Sequence, residues 1–335
     1  MPRPRDSLIS LEATPYYHCV SRCVRRAFLC GEDTATGRSF EHRRDWIEER
    51  LLGLSQSFAV QICAYAVMSN HTHVVLYVDR TAADAWSLDD IIQRWHSVFA
   101  GIALSHRYLQ GAALCEAEQD KLREVAEIWR ERLMSVSWFM RCLNERIARL
   151  ANAEDGCTGR FWEGRFKSQA LLDEAALAAC LAYVDLNPIR AAMAATPESS
   201  DHTSIQKRIR DLKGTADGST SSQNLTQAPE LFPFVGNPRQ DMPKGLPFAL
   251  MDYLQLVDWT GRHLRDDKRG SIPASTPPLL QRLHIEPQAW LQSTSRFETQ
   301  FRNLVGRPAA VQAACARFGR KWAWGTSHCK AMFSP

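Results

Sequence analysis

The chain has 335 residues, with 41 Lys and Arg against 37 Asp and Glu, which gives a formal net charge of +4. Hydrophobic residues make up 45% and charged residues 23% of the sequence. These are globular values, and they exclude a wholly disordered or collagen-like chain. The net charge is too small to indicate a nucleic-acid partner, so any basic surface must be local.

The ten cysteines form no C-x-x-C pair, which excludes a zinc ribbon and a thioredoxin motif. The N-terminus has no apolar signal segment, so we expect reduced thiols and a cytoplasmic location. The longest stretch without charged residues, 51–78, is long enough to cross a membrane. It carries several polar residues, His71 and His73 among them, and we therefore expect no membrane association.

The spacing of apolar residues predicts an alternation of strands and helices. In chain order the predicted elements are a strand over 17–22, a helix over 43–57, two strands over 60–67 and 71–78, a helix from Ser87, a helix over 136–152, a strand or ribbon over 161–171, and a helix over 173–186. The two strands at 60–78 form an antiparallel hairpin. This order predicts an α+β fold of ferredoxin-like type, with an antiparallel sheet and helices on one face.

The chain divides into three predicted regions: a main domain over 8–195 with a helical insertion at about 104–135, a linker over 196–245, and a basic, mostly helical C-terminal extension over 246–335. Within the extension we predict helices at 247–264 and 298–318. Residues 301–335 carry six positive charges and no acidic residue, at Arg302, Arg307, Arg317, Arg320, Lys321 and Lys330. This tail is either a DNA-binding appendage or simply a basic end, and we favour the first.

Two histidines alternate in the second strand of the hairpin, in the segment Asn-His-Thr-His at 70–73. On a strand, His71 and His73 point to the same face, about 6.7 Å apart along the chain. Two imidazoles on one face can ligate a divalent cation. The spacing alone is equally compatible with two polar residues on a half-exposed strand.

A tyrosine and an asparagine share one face of the alanine-rich helix. Tyr183 and Asn187 are four residues apart, so a hydroxyl and an amide oxygen lie one turn apart. The alternative is structural: Tyr183 is a core-edge aromatic residue, and the Asn187-Pro188 pair ends one helix and begins another.

Basic and aromatic residues alternate in the Gly-Arg-Phe-Trp-Glu-Gly-Arg-Phe-Lys segment at 159–167. Such a ribbon suits phosphate contacts beside base stacking. The alternative is a solvated strand with buried aromatic rings.

Together these motifs resemble the single-tyrosine HUH transposases of the insertion-sequence type. The resemblance is carried by the Asn-His-Thr-His-Val-Val-Leu segment at 70–76 and by Tyr-x-x-x-Asn-Pro-x-Arg-Ala from Tyr183. The Tyr-Tyr-His-Cys-Val-Ser-Arg strand at 16–22 and the 159–167 ribbon are similar, more narrowly, to REP-associated tyrosine transposases. The resemblance spans roughly residues 8–195. Thr72 departs from it, because the family has a larger hydrophobic residue there; we expect weaker packing rather than lost ligation.

The resemblance implies a metal-assisted phosphotyrosine chemistry. It assigns His71, His73 and Asn187 as ligands of Mg²⁺ or Mn²⁺, and Tyr183 as the nucleophile that forms a 5′-phosphotyrosine with single-stranded DNA. The implied partner is single-stranded DNA with a hairpin, of the repeat-element type, bound by a monomer or a homodimer. Such an enzyme would associate with the nucleoid when acting.

Recognition of that DNA is expected to use phosphate contacts and base stacking, from a short basic arm at residues 1–7, the first strand and the 159–167 ribbon. The candidate DNA-binding residues are Arg3, Arg5, Arg22, Arg25, Arg26, Arg160, Trp162, Arg165 and Lys167. Three functions remain open at this point: a transposase that cleaves and rejoins DNA, a hairpin-binding regulator that does not cleave, and a replication-initiator nickase. Retention of His71, His73 and Tyr183 favours the first, and no recognisable helicase motif supports the third.

Overall fold

A computed structural model of the chain describes residues 8–24, 29–33, 36–216, 227–265 and 275–333. Four of the predicted phosphate contacts, Arg3, Arg5, Arg25 and Arg26, lie outside the described residues.

The strands are β1 (Tyr16–Arg22), β2 (Glu32–Asp33), β3 (Arg38–Ser39), β4 (Val60–Val67), β5 (His71–Val78), β6 (Lys167–Leu171) and β7 (Leu304–Val305). The strands of the main sheet are mostly buried, whereas β2 and β3 form a short polar pair. β-Branched and aromatic residues dominate β4 and β5, which suits a sheet buried on both faces.

The helices begin at recognisable caps in several cases: Ser87 and Asp90 form a capping box, and the Asp173 carboxylate accepts from the Ala176 amide. They are α1 (Arg43–Ser57), α2 (Arg80–Ala85), α3 (Leu88–His96), α4 (Ala103–Leu109), α5 (Glu116–Leu133), α6 (Val136–Glu154), α7 (Glu174–Asp185), α8 (Asn187–Arg190), α9 (Ser204–Ala216), α10 (Leu250–Leu264), α11 (Pro278–Arg282), α12 (Pro287–Gln300), α13 (Pro308–Arg317) and α14 (Thr326–Phe333).

The main sheet has five strands in the order β4-β5-β1-β6-β7. All neighbours are antiparallel except β6 and β7, which pair in parallel through Ala170 with Leu304 and Leu171 with Val305. The central strand β1 therefore has β5 on one side and β6 on the other. This register places His18 opposite both Val75 and Gln169.

Both faces of the sheet are covered. Asn144 of α6 donates to Ser21, and α6 packs with α1 on that face. Val20 and His18 point to the opposite face, where α7 packs with the Tyr183 ring against His18 and His73. Residues 175–185 of α7 are all buried, because α10 and α12 pack on it as well. The predicted α+β class with an antiparallel sheet is confirmed, and α7 with the C-terminal helices adds a second layer.

The C-terminal segment differs from the predicted helix at 298–318. Helix α12 ends at Gln300, β7 occupies Leu304–Val305, and α13 begins at Pro308. Leu304 and Val305 pair with the open edge of β6, so tertiary pairing overrides the local helical pattern, and Pro308 then starts a new helix. The division at residues 195 and 245 stays a prediction.

All ten cysteines lie among the described residues, and none of them is part of a disulfide. Among the described residues, the helices are either too short or too polar to cross a membrane.

Candidate active site

The two histidines of β5 lie on the α7 face of the sheet, where their ring centroids are 4.7 Å apart and nearly perpendicular. His71 is half-buried at the start of the strand, and its Nδ1 contacts the side-chain oxygen of Asn70. His73 is fully buried. Its Nε2 forms no hydrogen bond within the described part of the chain. Burying a ring nitrogen without a hydrogen-bond partner costs free energy, unless a ligand binds to that nitrogen.

A chain of hydrogen bonds across three strands orients His73. The Gln169 amide nitrogen donates to the Phe301 carbonyl at 2.8 Å, which turns the Gln169 oxygen toward His18. That oxygen lies 2.7 Å from His18 Nδ1, and His18 Nε2 lies 2.9 Å from His73 Nδ1.

This chain fixes the tautomer of each ring. An amide oxygen only accepts, so His18 Nδ1 must carry a proton and His18 Nε2 must accept. His73 Nδ1 then donates to His18, and the lone pair of His73 lies on Nε2. The geometry thus leaves a basic nitrogen available for a cation, with its orientation set by a second layer of residues.

Burial keeps all three rings neutral. Desolvation lowers the pKa of His71 to about 4, with a further contribution from the positive charge of Arg22. Desolvation, followed by the field of His71, lowers the pKa of His73 well below its usual value, and desolvation also lowers the pKa of His18. Protons therefore do not compete with a cation for these nitrogens near neutral pH.

Tyr183 packs edge-on against His73, with ring centroids 5.5 Å apart. Burial raises the pKa of Tyr183 to about 12, and the Arg190 guanidinium, 4.1 Å from the ring centroid, acts in the opposite direction. Only 6% of the tyrosine is exposed, since Phe297 of α12 covers it with ring centroids 5.4 Å apart.

Asn187 opens α8, one turn after Tyr183, and is buried. Its side-chain nitrogen forms no hydrogen bond to any described residue. This nitrogen is a hydrogen-bond donor, whereas a cation would bind the amide oxygen, so the ligand role of Asn187 stays a prediction.

The predicted DNA-binding residues fall into two groups. Arg22 ends β1 directly opposite His71, and Arg160, Arg165 and Lys167 are exposed. Trp162 is 9% exposed and donates its indole N–H to the Asn144 carbonyl at 2.8 Å. Because this ring belongs to the core, we do not retain base stacking by Trp162.

A second group of possible metal ligands lies near β4, at one edge of the sheet. Ligand atoms of Asp45, Glu48 and His202 lie within 4.8 Å of one another, so this triad could hold a metal ion. Its members already pair with each other: His202 Nδ1 is 2.6 Å from Glu48, which also accepts from the Tyr65 hydroxyl. No sequence motif indicates this triad, because its members come from α1 and a distant loop.

Sequence reasoning assigned no role to His18, Gln169, Phe297 or Glu298. His18 lies in a strand that carried the resemblance, but its contact with His73 follows only from the β1–β5 register. The negative charge of Glu298 contributes in the upward direction to the pKa of both His71 and Tyr183, although 115 residues separate Glu298 from Tyr183. No local pattern indicates such a neighbour.

No protein-family model matches the chain, and a search of curated proteins finds no match either. Among solved structures, the chain is similar to a REP-associated tyrosine transposase bound to a REP hairpin, at 11% identity and a TM-score of 0.37. The alignment covers 70% of this chain and 100% of that one. At this TM-score the likeness is too distant to transfer residue roles.

Proposed function

We propose that this protein is a transposase that cleaves and rejoins single-stranded DNA next to hairpins. The observation that carries the proposal is the meeting of Tyr183, His71 and His73 on one face of the sheet, with the His73 Nε2 lone pair unpartnered. A protein that only binds DNA has no need of a buried nitrogen held in this way.

In the proposed reaction the Tyr183 oxygen attacks a phosphodiester of the strand. The Tyr183 O–P bond forms and the P–O3′ bond breaks; the phenolic hydroxyl loses its proton and the departing O3′ gains one, so a free 3′-hydroxyl results with no net change in protons. A 3′-hydroxyl of DNA reverses the step by attacking the same phosphorus, and Tyr183 leaves. The phosphotyrosine conserves the energy of the broken bond, so rejoining needs no nucleotide cofactor.

The residues that would hold Mg²⁺ or Mn²⁺ are His71 and His73, with Asn187 as the third candidate. A bound cation of this kind withdraws charge from a phosphate oxygen and stabilises the pentavalent transition state. Arg190 lies over the Tyr183 ring and favours its charged form. Arg22, Arg160, Arg165 and Lys167 would supply the phosphate contacts. Exposure of the last three and the pairing of Arg22 with His71 support this role.

The test is a covalent adduct. The full-length protein is incubated with hairpin-bearing single-stranded DNA and Mn²⁺, and adducts that resist denaturation are separated by gel electrophoresis. We expect an adduct with the wild type and none with Tyr183→Phe. Tyr108→Phe, in the helical insertion, is the matched control and should behave as the wild type. Equal adduct yields from the wild type and Tyr183→Phe would remove Tyr183 as the nucleophile.

The covering of Tyr183 by Phe297 favours one alternative, a hairpin-binding regulator that does not cleave. Tight hairpin binding without any adduct, in the presence of Mg²⁺ or Mn²⁺, would support that alternative over the enzyme.

A further inference from the structure

Two neighbouring cavities lie along the β6–β7 edge, beside the candidate active site. The first, of about 340 Å³, is lined by Gln169, the hydrogen-bond partner of His18. The second, of about 810 Å³, is bounded by Trp322 and Trp324. Arg302 and Asn303 line both cavities. The two cavities are therefore neighbours between the sheet and the C-terminal loop, and together they are called the path below.

The path is predominantly basic. The positively charged residues that line it are Arg165, Lys167, Arg302, Arg320 and Lys321. Glu298 is the negatively charged residue among the lining residues, and its carboxylate lies 3.6 Å from the Lys167 ammonium. A surface of this kind attracts a polyanion although the whole chain carries little net charge.

Two tryptophans stand exposed at the far end of the path. Trp322 is 70% exposed and Trp324 is 51% exposed. The other large hydrophobic residues that are exposed in the described part of the chain are aliphatic. The Arg302 guanidinium lies 4.6 Å from the Trp324 ring centroid. Indole faces beside cations are the usual stacking platform for unpaired bases.

Two glycines lie at the ends of the loop that carries these tryptophans. Gly319 and Gly325 have positive φ values of 61° and 89°, which favour glycine. A Cβ atom at Gly325 would approach the Gln300 carbonyl oxygen to 3.0 Å, so the loop packs tightly on the end of α12. The contact at Gly325 fixes where the loop meets α12, and Trp322 and Trp324 lie between the two glycines.

We infer that this path binds a single strand of DNA, with its phosphates on the arginines and lysines and its bases stacked on Trp322 and Trp324. The inference rests on the proposed function, because the strand would enter the candidate active site beside Gln169. A duplex fits less well, since paired bases do not offer their faces for stacking.

The experiment measures fluorescence anisotropy of a labelled thymidine oligonucleotide without a hairpin, titrated with the full-length protein in chelator. Each replaced tryptophan should cost at least about fivefold, so Trp322→Ala/Trp324→Ala should weaken binding by roughly thirtyfold or more. Trp322→Phe/Trp324→Phe should restore most of the affinity. Arg302→Ala/Lys321→Ala should lower the salt slope by about 0.7 for each phosphate that the variant no longer neutralises.

The matched control is Met251→Ala, which removes a side chain that is 58% exposed on α10. It should leave binding unchanged. Equal affinities for the wild type and Trp322→Ala/Trp324→Ala would overturn the inference, as would equal binding of a duplex. Tighter binding of the matching RNA strand would make RNA the ligand instead.

The two proposals fail separately. If the wild type forms no adduct with hairpin DNA but the tryptophan variants lose affinity, the path stands and the cleavage proposal falls. If the adduct forms through Tyr183 but the tryptophan variants bind normally, the path falls and the cleavage proposal stands.

Discussion

Two polar clusters that contain histidine lie beside different parts of the same sheet, and they differ in how their polar atoms are satisfied. At the β4 edge, His202, Glu48 and Tyr65 satisfy one another, and Asp45 stands exposed beside them. On the α7 face, His73 donates to His18 and leaves Nε2 unpartnered among the described residues. A cluster that satisfies itself contributes to stability, whereas one that leaves a buried atom unsatisfied is prepared for a ligand.

The largest expected difference between the clusters is in catalysis. His73→Asn removes the proposed ligand nitrogen, and adduct formation should fall about a hundredfold or more, because the charge stabilisation at stake is several kcal/mol. His202→Asn is the matched control, since asparagine tolerates the positive φ of 56° at that position. The measurement is the initial rate of adduct formation. A loss in His202→Asn with a normal rate in His73→Asn would make the β4-edge cluster the catalytic centre.

The next effect concerns the orientation of His73. Gln169→Leu removes the acceptor that fixes the His18 tautomer, so a fraction of His73 should move its proton to Nε2. Nitrogen chemical shifts of the imidazoles report this change directly, and Mn²⁺ affinity from calorimetry should fall about 10–100-fold. Gln119→Leu, which also loses an amide bonded to a backbone carbonyl, should change neither measurement. An unchanged His73 tautomer in Gln169→Leu would contradict the hydrogen-bond chain.

A smaller effect is expected for stability at the β4 edge. Glu48→Ala leaves the Tyr65 hydroxyl and His202 without their acceptor, and should lower the free energy of unfolding by about 1–3 kcal/mol. The exposed neighbour Glu49→Ala should change it by no more than about 0.5 kcal/mol. Urea denaturation measures both. A loss of adduct formation by folded Glu48→Ala would argue against a purely structural role for this cluster.

The smallest expected effect is on the pH dependence of stability, to which His71 on the α7 face contributes. Burial lowers the pKa of His71 to about 4, whereas in the unfolded chain it titrates near 6.5. Below about pH 6.5 this histidine binds a proton in the unfolded chain but stays neutral in the folded protein. The free energy of unfolding therefore falls as the pH falls. Between pH 7 and 6 one such imidazole accounts for about 0.7 kcal/mol. His71→Asn should therefore lose less stability over this interval, measured in chelator; identical pH slopes would contradict the buried neutral imidazole.

The sequence predicted the parts of the site that depend on local spacing. The alternation in β5 predicts that His71 and His73 share a face, and the four-residue spacing in α7 and α8 relates Tyr183 to Asn187. The hairpin and α7 also follow from local patterns, and their bounds agree with the structure within a few residues.

The remaining features depend on contacts between distant segments. His18 and Gln169 meet because β1 pairs with β6, across 151 residues. Phe297 covers Tyr183 because α12 packs on α7, and β7 forms only where the edge of β6 is open. Sheet register and helix packing of this kind leave no periodic signal in one sequence. The sequence offered base stacking and burial as alternatives for the aromatic residues of the ribbon and could not decide between them for Trp162, since its partner is a main-chain carbonyl on α6.

The acceptor at the end of the Gln169–His18–His73 chain is the main-chain carbonyl of Phe301. Every amino acid has that carbonyl, so no substitution at position 301 removes it, and a comparison of side chains among homologues would not reveal it. What matters is that the backbone runs past β6 at this point. A premature stop before residue 301 would therefore leave the Gln169 amide without this acceptor, whereas a replacement at 301 would not remove the carbonyl.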